Sequence, residues 1–322
     1  MITLPRTELG KTGLSISRFI LGTGALGGMA ATTGPGIGLD EEASADLLSH
    51  AGNVGINLLD TSDIYALGES ERILGGWLAQ NPDADFLVQT KTGVTPNGPD
   101  LSPDRVRAQL EQSRRTLGRV DLFLAHAVDP NTEWSASLPV FSEAVEQGLI
   151  TAYGVSNVTE RDLIDALQTA DRLSIHRPAL VQNRYSLLAR DDDAGVLALA
   201  RDQSLGYTPY SPLAAGLLAG RYSKGERPAA GSRLSTQQPT LGVLDDPTTR
   251  ERIGRFEQLA ASRDVTPAAL AFAWLLNRPG VTAPIVGVTK PSQWDSVVAS
   301  VDVPWSEGLA RSVDEIFPGQ PG

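Results

Sequence analysis

The hydrophobic pattern of the chain consists of short apolar runs, each followed by a longer stretch with helical spacing. The runs are continuous rather than alternating, as expected for strands that are covered on both faces of a sheet. A repeated strand-helix unit is typical of a parallel sheet. The predicted strands are Phe19–Gly22, Ile56–Asp60, Phe86–Lys91, Asp121–His126, Ala152–Ser156, Ala179–Asn183, Gly206–Ser211 and Pro284–Val288. Eight such units predict an α/β fold of the (β/α)8, or TIM barrel, type.

The helix between the third and fourth strands has clear start and stop signals. Ser102 can cap it, Pro103 and Asp104 suit its first turn, and Gly118 suits its end. Two segments depart from the repeat. The stretch from Thr3 to Ser17, with a turn at Gly10–Gly13, predicts a β-hairpin across the floor of the barrel.

The second departure is an insertion after the seventh strand, roughly Ala214 to Asp246, which is rich in Gly, Pro, Ser and Arg. Long loops in compact domains are usually functional or disordered. This one is interpreted either as a lid that closes on a ligand or as a mobile surface loop. Since no composition shift marks a boundary, residues 1–322 are expected to form a single barrel domain.

The glycines from Gly22 to Gly27 match the G-x-G-x-x-G motif of dinucleotide-binding folds, but their context does not. That motif requires a helix to begin at the glycines, whereas here the next helix is predicted only near Asp40. We therefore expect a loop after the first strand. Its glycines permit a ligand to approach the backbone, and Gly22 and Thr23 are candidate cofactor contacts.

Composition and charge narrow the classes of function. The 322 residues include 41% hydrophobic residues, no cysteine and a net charge of −11. The lack of cysteine excludes disulfides, thiolate metal sites and cysteine nucleophiles, and no metal site is predicted. The negative charge argues against nucleic acid or an anionic membrane as partner. Without a signal-like segment or an 18-residue apolar window, we expect a cytoplasmic protein with a small-molecule ligand.

Polar residues occupy the predicted carboxyl ends of the strands, where barrel enzymes assemble their active sites. Asp60, Lys91 and His126 end the second, third and fourth strands, and Tyr65 follows five residues after Asp60. Each has an ordinary alternative: a capping carboxylate, a solvated lysine, a hydrogen-bonded core histidine. Together they bring a carboxylate, an ammonium, an imidazole and a phenol to one rim.

This set suits proton transfer to an oxygen. An ammonium beside a phenol stabilises the phenolate, because unit charges about 4 Å apart interact by roughly 4 kcal/mol at an effective dielectric constant near 20. Lys91 is expected to act on Tyr65 in this way, with Asp60 orienting Lys91 and His126 binding the substrate oxygen. Since none of these side chains can deliver a hydride, a nicotinamide cofactor is required.

These residues resemble those of the aldo-keto reductase superfamily over nearly the whole chain. Its Asp-Thr-(x)3-Tyr motif is similar to Asp60-Thr-Ser-Asp-Ile-Tyr65, and its catalytic lysine and histidine match Lys91 and His126. Asp129 follows His126 as in the bacterial branch that carries His-x-x-Asp. The resemblance implies reduction of a carbonyl group, with Tyr65 as the proton donor.

The resemblance also implies cofactor contacts. Ser156, Asn157 and Gln182 match the residues that bind the nicotinamide carboxamide. Tyr210, Ser211, Leu213 and Gly216 match the stretch that stacks on the nicotinamide and passes under the pyrophosphate. Gly287 and Gln293 match the adenosine-phosphate site, although Ser296-Val297 stands where the family has Glu-Asn, and Thr289 and Lys290 lie in the same stretch as further candidate contacts.

The predicted choice of cofactor depends on Thr289 and Lys290. If these residues bind a 2′-phosphate, they favour NADPH over NADH. The alternative is that Thr289 or Lys290 caps the start of a helix at Pro291. A second departure is Ala66-Leu67-Gly68, where the family has glycine directly after the tyrosine.

The sequence is compatible with three functions. The first is NADPH-dependent reduction of an aldehyde or ketone, with a sugar or keto-sugar among the possible substrates. The second is an NAD-linked sugar or alcohol dehydrogenase. The third, of another class, is a cofactor-binding regulatory subunit resembling the β subunits of potassium channels. The substrate, the direction of reaction and the oligomeric state are not determined by the sequence.

Overall fold

The computed structural model describes residues 4–29, 32–33, 37–220 and 245–319. Its strands are β1 (Arg6–Glu8), β2 (Ser15–Ser17), β3 (Ile20–Gly22), β4 (Leu58–Asp60), β5 (Leu87–Thr92), β6 (Val94–Thr95), β7 (Gly98–Pro99), β8 (Leu122–Ala125), β9 (Ala152–Ser156), β10 (Leu180–Gln182), β11 (Gly206–Tyr207) and β12 (Ile285–Val286). Its α-helices are α1 (Glu41–Asn53), α2 (Glu69–Gln80), α3 (Pro103–Leu117), α4 (Trp134–Glu146), α5 (Glu160–Leu173), α6 (Val196–Asp202), α7 (Pro247–Ala261), α8 (Pro267–Leu276), α9 (Trp294–Ala299) and α10 (Glu307–Ile316).

Eight parallel strands form the central sheet. Their order is β12, β3, β4, β5, β8, β9, β10 and β11. The two ends of this sheet meet, because the Ile285 amide of β12 donates to the Pro209 carbonyl just beyond β11 at 2.8 Å. The predicted (β/α)8 barrel is therefore confirmed.

The seventh strand shows how proline shapes this barrel. The regular ladder of β11 ends at Tyr207, whereas the sequence predicts a strand as far as Ser211. Backbone bonds nevertheless continue on either side of Pro209, from the Thr208 amide to Val181 at 2.9 Å and from the Tyr210 amide to Asn183 at 2.9 Å. Pro209 has no amide to donate, which interrupts the regular pairing without moving the chain out of the wall.

The N-terminal hairpin closes the floor of the barrel. Strands β1 and β2 pair antiparallel, with Thr7 opposite Ile16. Leu9 and Ile16 are fully buried in a cluster with inward-facing residues of the barrel strands, among them Leu122 and Leu180. The apolar side chains of the hairpin thus fill the amino-terminal end of the barrel, as predicted.

The helices begin and end at the signals in the sequence. Helix α3 begins at Pro103 and ends at Leu117, followed by Gly118 with φ +77°, as predicted, but the Ser102 side chain makes no capping hydrogen bond, so that part of the prediction is wrong. Helix α1 begins after Asp40, whose carboxylate accepts the Ala43 amide at 2.9 Å. In the described part of the stretch between β3 and α1, the glycine-rich segment therefore begins no helix, in agreement with the prediction that it is a loop.

The predicted lid falls largely outside the described residues. Of the insertion from Ala214 to Asp246, the structure describes a short 3-10 segment, Ala214–Ala219, with Gly220, and the two residues before α7. Residues 221–244, on which the choice between lid and surface loop depends, lie outside the described part. In the described ranges no helix has the length and apolar character needed to cross a membrane.

Candidate active site

The carboxyl ends of β4 and β5 bring a buried ion pair beside a phenol. Asp60 and Lys91 are both almost completely buried, and the Lys91 Nζ lies 2.9 Å from Asp60 Oδ2. The same ammonium donates to the Thr61 carbonyl at 2.6 Å and to the Tyr65 hydroxyl at 3.3 Å. The sequence-predicted Asp60, Tyr65 and Lys91 therefore form one hydrogen-bonded unit.

Asp60 is fixed by donors from three other segments: the loop after β3, strand β5 and strand β10. Its Oδ1 accepts the side-chain amides of Gln89 at 2.5 Å and Gln182 at 3.0 Å. Its carbonyl accepts both the amide and the hydroxyl of Thr23, at 2.8 and 2.9 Å. The two bonds to Oδ1 orient the carboxylate with Oδ2 towards Lys91, and the bonds from Thr23 hold the backbone of Asp60. Thr23, a predicted cofactor contact, is fully buried with its hydroxyl on Asp60.

The surroundings of Lys91 keep it charged. Burial acts to lower the pKa of this amine, but the Asp60 carboxylate and the Tyr65 hydroxyl raise it, and the net shift is upward. Lys91 Nζ also lies 4.8 Å from the centre of the Tyr65 ring. A permanent positive charge therefore sits next to the phenol oxygen.

His126 follows β8 and lies edge-on to Tyr65, with ring centres 5.9 Å apart. Its Nδ1 is 3.0 Å from the hydroxyl of Ser62. Burial and the nearby charge of Lys91 lower the pKa of His126 to about 3. The imidazole is therefore neutral at physiological pH and acts through hydrogen bonds rather than charge.

The sequence analysis missed Ser62 and the two residues behind it. The Ser62 hydroxyl is 3.2 Å from Asp63 Oδ1, and Asp63 pairs with Arg105 at 2.9 Å. A signal existed, because every residue from Asp60 to Tyr65 except Ile64 carries a polar side chain. Its partners could not be found from the sequence, since His126 and Arg105 come from distant segments.

The predicted carboxamide site also assembles beside His126. Asn157 donates from Nδ2 to the His126 carbonyl at 2.8 Å and accepts the Tyr210 hydroxyl at 2.6 Å. The buried Ser156 hydroxyl donates to the Gln182 carbonyl at 2.7 Å. Four predicted cofactor residues from three different strand ends are thus brought together with the predicted catalytic group.

Left-handed backbone conformations concentrate at these strand ends. Asn157 has φ +55° and Ser211 has φ +56°. Ala66 and Leu67, directly after Tyr65, have φ +48° and +56°. Non-glycine residues adopt such conformations at a cost of about 1 kcal/mol or more, and they cluster at functional sites. Ala66 and Leu67, which stand where the family has glycine, therefore adopt the left-handed conformation that glycine favours. The side chain of Leu67 is 62% exposed.

The predicted pyrophosphate and adenosine-phosphate residues lie apart from this hydrogen-bonded network. Leu213 and Gly216 lie half-buried in or beside the 3-10 segment after Ser211, and Gly22 packs against Ile285 of β12. Beyond β12, Gly287 is exposed.

Gln293 organises the segment that follows Gly287. Its Oε1 accepts the amides of Thr289 at 2.7 Å and Lys290 at 2.9 Å. This is a capped start to the short helix at Pro291, the alternative interpretation of these residues. Lys290 itself is exposed.

The donor set at the mouth fits a nicotinamide. A carboxamide needs both a hydrogen-bond donor and an acceptor, and the side-chain amides of Asn157 and Gln182 contain both kinds of group. In this structure these amides bond to the His126 carbonyl, the Tyr210 hydroxyl and Asp60, and Tyr210 contributes an aromatic ring beside them. The loop after β3 lies close by, because a Cβ on Gly24 would be 3.5 Å from the Tyr65 ring. The described residues are therefore compatible with the cofactor that the resemblance implies.

Comparisons with known proteins agree with this geometry. The model of the aldo/keto reductase family matches residues 19–317. An uncharacterized oxidoreductase of Bacillus subtilis strain 168, YrpG, is 31% identical, with 98% of this chain and 97% of the relative covered. The NADH-specific methylglyoxal reductase of Escherichia coli K12 is 29% identical, covering 97% and 98%. A putative voltage-gated potassium channel subunit beta of Schizosaccharomyces pombe is 30% identical, covering 98% and 93%.

Proposed function

The chain belongs to the aldo/keto reductase family and is an NAD(P)H-dependent oxidoreductase, and on that premise we propose that it reduces an aldehyde or ketone with NADPH as the hydride donor and Tyr65 as the proton donor. The observation that carries this proposal is the position of Lys91, 3.3 Å from the Tyr65 hydroxyl and 2.9 Å from Asp60. A buried, charged lysine stabilises the negative charge that the phenol oxygen gains when it gives up its proton.

The proton moves from the Tyr65 hydroxyl to the carbonyl oxygen as that oxygen becomes an alkoxide. Lys91 then faces a phenolate, and the charge of Asp60 holds the ammonium in place through this change. His126, which is neutral, binds the same substrate oxygen by a hydrogen bond and orients the carbonyl. Lys91, Tyr65 and His126 act together, since Lys91 Nζ lies 3.3 Å from the Tyr65 hydroxyl and the rings of Tyr65 and His126 have centres 5.9 Å apart.

The cofactor is held, in this proposal, by residues at the remaining strand ends. Asn157 and Gln182 bind the nicotinamide carboxamide, with Ser156 fixing the backbone beneath them, and Tyr210 stacks on the ring. Ser211, Leu213 and Gly216 lie under the pyrophosphate, and Gly22, Gly287 and Gln293 lie against the adenosine half. The exposed Lys290, with Thr289, meets the 2′-phosphate and thereby favours NADPH.

Substitution of Tyr65 by phenylalanine tests the chemical role. Tyr65→Phe removes the proton donor and leaves the ring, so turnover of carbonyl compounds should fall by at least about 1,000-fold. Cofactor binding, followed by tryptophan fluorescence quenching, should change less than about threefold. Tyr153→Phe is the matched control, because this buried tyrosine bonds the His176 carbonyl away from the site. Activity of Tyr65→Phe close to that of Tyr153→Phe would refute the mechanism.

The substrate class requires a panel of carbonyl compounds with both cofactors. Methylglyoxal and keto-sugars belong in it, since one relative is named for methylglyoxal, and the reverse reaction with sugars and NAD tests the dehydrogenase alternative. The relative named as a potassium channel subunit favours a second candidate, a cofactor-binding regulatory subunit. Tight cofactor binding without turnover of any panel member would support that candidate.

A further inference from the structure

The Lys91 ammonium has three protons, and three acceptors surround it. Asp60 Oδ2 accepts at 2.9 Å, the Thr61 carbonyl at 2.6 Å and the Tyr65 hydroxyl at 3.3 Å. The contact to Tyr65 is the longest of the three, and it is the one on which the proposed reaction depends. A further acceptor within reach of Nζ would therefore draw the third proton away from Tyr65.

The second oxygen of Asp60 is such an acceptor. A carboxylate accepts through both oxygens, and by turning about its last side-chain bond it can present both of them to one ammonium. In the structure Oδ1 instead accepts the side-chain amides of Gln89 at 2.5 Å and Gln182 at 3.0 Å. The donors to Oδ1 therefore decide how many ammonium protons remain for Tyr65.

Of these two donors, Gln89 has no second role in the site. Gln182 also belongs to the set proposed to bind the nicotinamide carboxamide. The bond to Asp60 is the one hydrogen bond that the Gln89 side chain makes among the described residues, and there its Oε1 has no partner, although the residue is completely buried. Since a carboxylate can only accept, the amide nitrogen of Gln89 is the atom that faces Asp60.

The surroundings of Gln89 do not otherwise require an amide. Leu87 precedes it by two residues on the same face of β5, and Leu122 of β8 lies opposite it in the apolar cluster inside the barrel. An unpartnered amide oxygen in such a place has a cost in stability that an apolar side chain of similar size does not have. Packing alone therefore favours leucine or methionine at position 89, and the bond to Asp60 is what glutamine adds.

We propose that Gln89 is a positioning residue: its amide holds Asp60 Oδ1 away from Lys91 and thereby keeps the third ammonium proton on the Tyr65 hydroxyl. The consequence for the reaction rests on the proposed function. The contact between Lys91 and Tyr65 does not, because it is a property of the protein without substrate. The two can therefore fail separately.

The contact between Lys91 and Tyr65 can be measured without a substrate. The surroundings of Lys91 raise its pKa, so it is an ammonium at neutral pH, and its complete burial slows exchange of the ammonium protons with water. In protein labelled with 15N-lysine, Tyr65→Phe should shift the Lys91 Nζ signal, since it removes one of three acceptors. In a Gln89→Met background the same substitution should shift the signal by less than about half as much. A shift of equal size in both backgrounds would overturn the proposal.

Activity measured against pH tests the donor role. Gln89→Met should lower kcat about tenfold at neutral pH and change KM less than about twofold. In Gln89→Glu the neutral carboxyl can donate to Asp60 as the amide does, whereas the charged form cannot donate and repels Asp60. The kcat of Gln89→Glu should therefore approach that of the unaltered protein as the pH falls, and that of Gln89→Met as it rises.

The variant Gln89→Glu keeps the shape of the side chain, so this test does not depend on the folding of Gln89→Met. If Gln89→Glu is as slow as Gln89→Met at every pH, position 89 does not act as a donor and the proposal is wrong. A pH-dependent recovery of kcat in Gln89→Glu supports it, because a purely structural role of the glutamine would give no such recovery.

Thr90→Val is the matched control. Thr90 is the next residue on β5, is equally buried, and donates its hydroxyl to another carboxylate, that of Glu71 on α2, at 2.5 Å. Because this bond lies on the helix side of the strand, Thr90→Val removes a buried donor without touching Asp60. It should leave the Tyr65→Phe shift and the pH profile unchanged. Equal losses of kcat in Thr90→Val and Gln89→Met would indicate a general effect on β5 and would contradict the proposal.

Failure of the proposed function gives a different result. If the unaltered protein reduces no carbonyl compound, the proposed reaction is wrong, while the Lys91 signal still decides the role of Gln89. If carbonyl compounds are reduced but Gln89→Met keeps both the Tyr65→Phe shift and the kcat of the unaltered protein, the reaction stands and the role of Gln89 is wrong.

Discussion

His126 lies where both burial and the charge of Lys91 oppose its protonation. Its pKa is lowered to about 3, whereas the imidazole of an unfolded chain titrates near 6.5. Between these values the unfolded chain binds a proton that the folded protein does not. The free energy of unfolding therefore includes a contribution that is complete above about pH 6.5 and is lost as the pH falls towards 3.

The substitution His126→Asn should remove this contribution. An asparagine keeps a polar partner for Ser62 but does not titrate, so the loss of stability between pH 7 and pH 4.5 should be about 2 kcal/mol smaller than in the unaltered protein. Urea unfolding at a series of pH values measures the difference. Parallel pH curves for the two proteins would show that His126 is not held neutral by its surroundings.

At the scale of single residues, motif and position together predicted the groups of the candidate site, but not their contacts. Asp60, Tyr65 and Lys91 could be predicted to meet, because the carboxyl ends of neighbouring parallel strands share one rim. The bond from Ser62 to His126 could not, since it depends on a rotamer and on the path of two separate loops. The left-handed conformation of Leu67 was also beyond prediction, because its local propensity opposes it.

At the scale of elements, the N-terminal hairpin depends on one close approach. Gly10 and Gly13 both lie in its turn with positive φ, +54° and +73°. A Cβ on Gly10 would lie 2.6 Å from the Gly206 amide nitrogen and 2.8 Å from the Ala179 carbonyl oxygen, both at the start of barrel strands. A Cβ on Gly13 would meet nothing within 4 Å. The hairpin therefore docks on the barrel through Gly10.

Alanine at these two positions separates backbone strain from docking. Both substitutions incur the cost of a left-handed alanine, about 1 kcal/mol, but Gly10→Ala also pushes the hairpin off the floor. We expect Gly10→Ala to lower the free energy of unfolding by about 2 kcal/mol more than Gly13→Ala does, and to increase hydrogen exchange at Leu9 and Ile16. Equal effects of the two substitutions would mean that the turn does not rest on the barrel.

The presence of the strands and helices could be predicted from the sequence more reliably than the residues at which they end. The eight strands and the start of α1 follow from apolar runs and caps, which are local signals. The early end of regular pairing in β11 reflects Pro209 and its partner Ile285, which comes from the last strand. A single-sequence pattern contains the proline but not the neighbour that accommodates it.

At the scale of the whole molecule, a buried ion-pair network ties the C-terminal segment to the loop after β10. Arg190 and Asp193 pair at 2.7 Å with their side chains 8% and 7% exposed. Arg190 also bonds Asp314 at 2.7 Å and the Phe317 carbonyl at 2.5 Å. Phe317 itself is buried and packs edge-on against Phe256. The segment that carries Asp314 and Phe317 is thereby anchored on the barrel, near the strand that carries Gln182.

Arg190→Met should therefore be among the most destabilising single substitutions of a charged residue. Among the described residues it leaves buried Asp193 with Arg278 as its one cationic partner, at 2.8 Å, and it removes the donor to the Phe317 carbonyl. We expect a loss of about 3 kcal/mol in the free energy of unfolding, the size found when one partner of a buried pair is removed.

The control is Arg201→Met, whose pair with Asp202 has both side chains more than half exposed. This substitution should change the free energy of unfolding by less than about 0.5 kcal/mol. Urea titrations of both variants at one pH compare them directly. Similar midpoints for the two would contradict the anchoring role, whereas the expected difference would show that the C-terminal segment is held by charge as well as by Phe317.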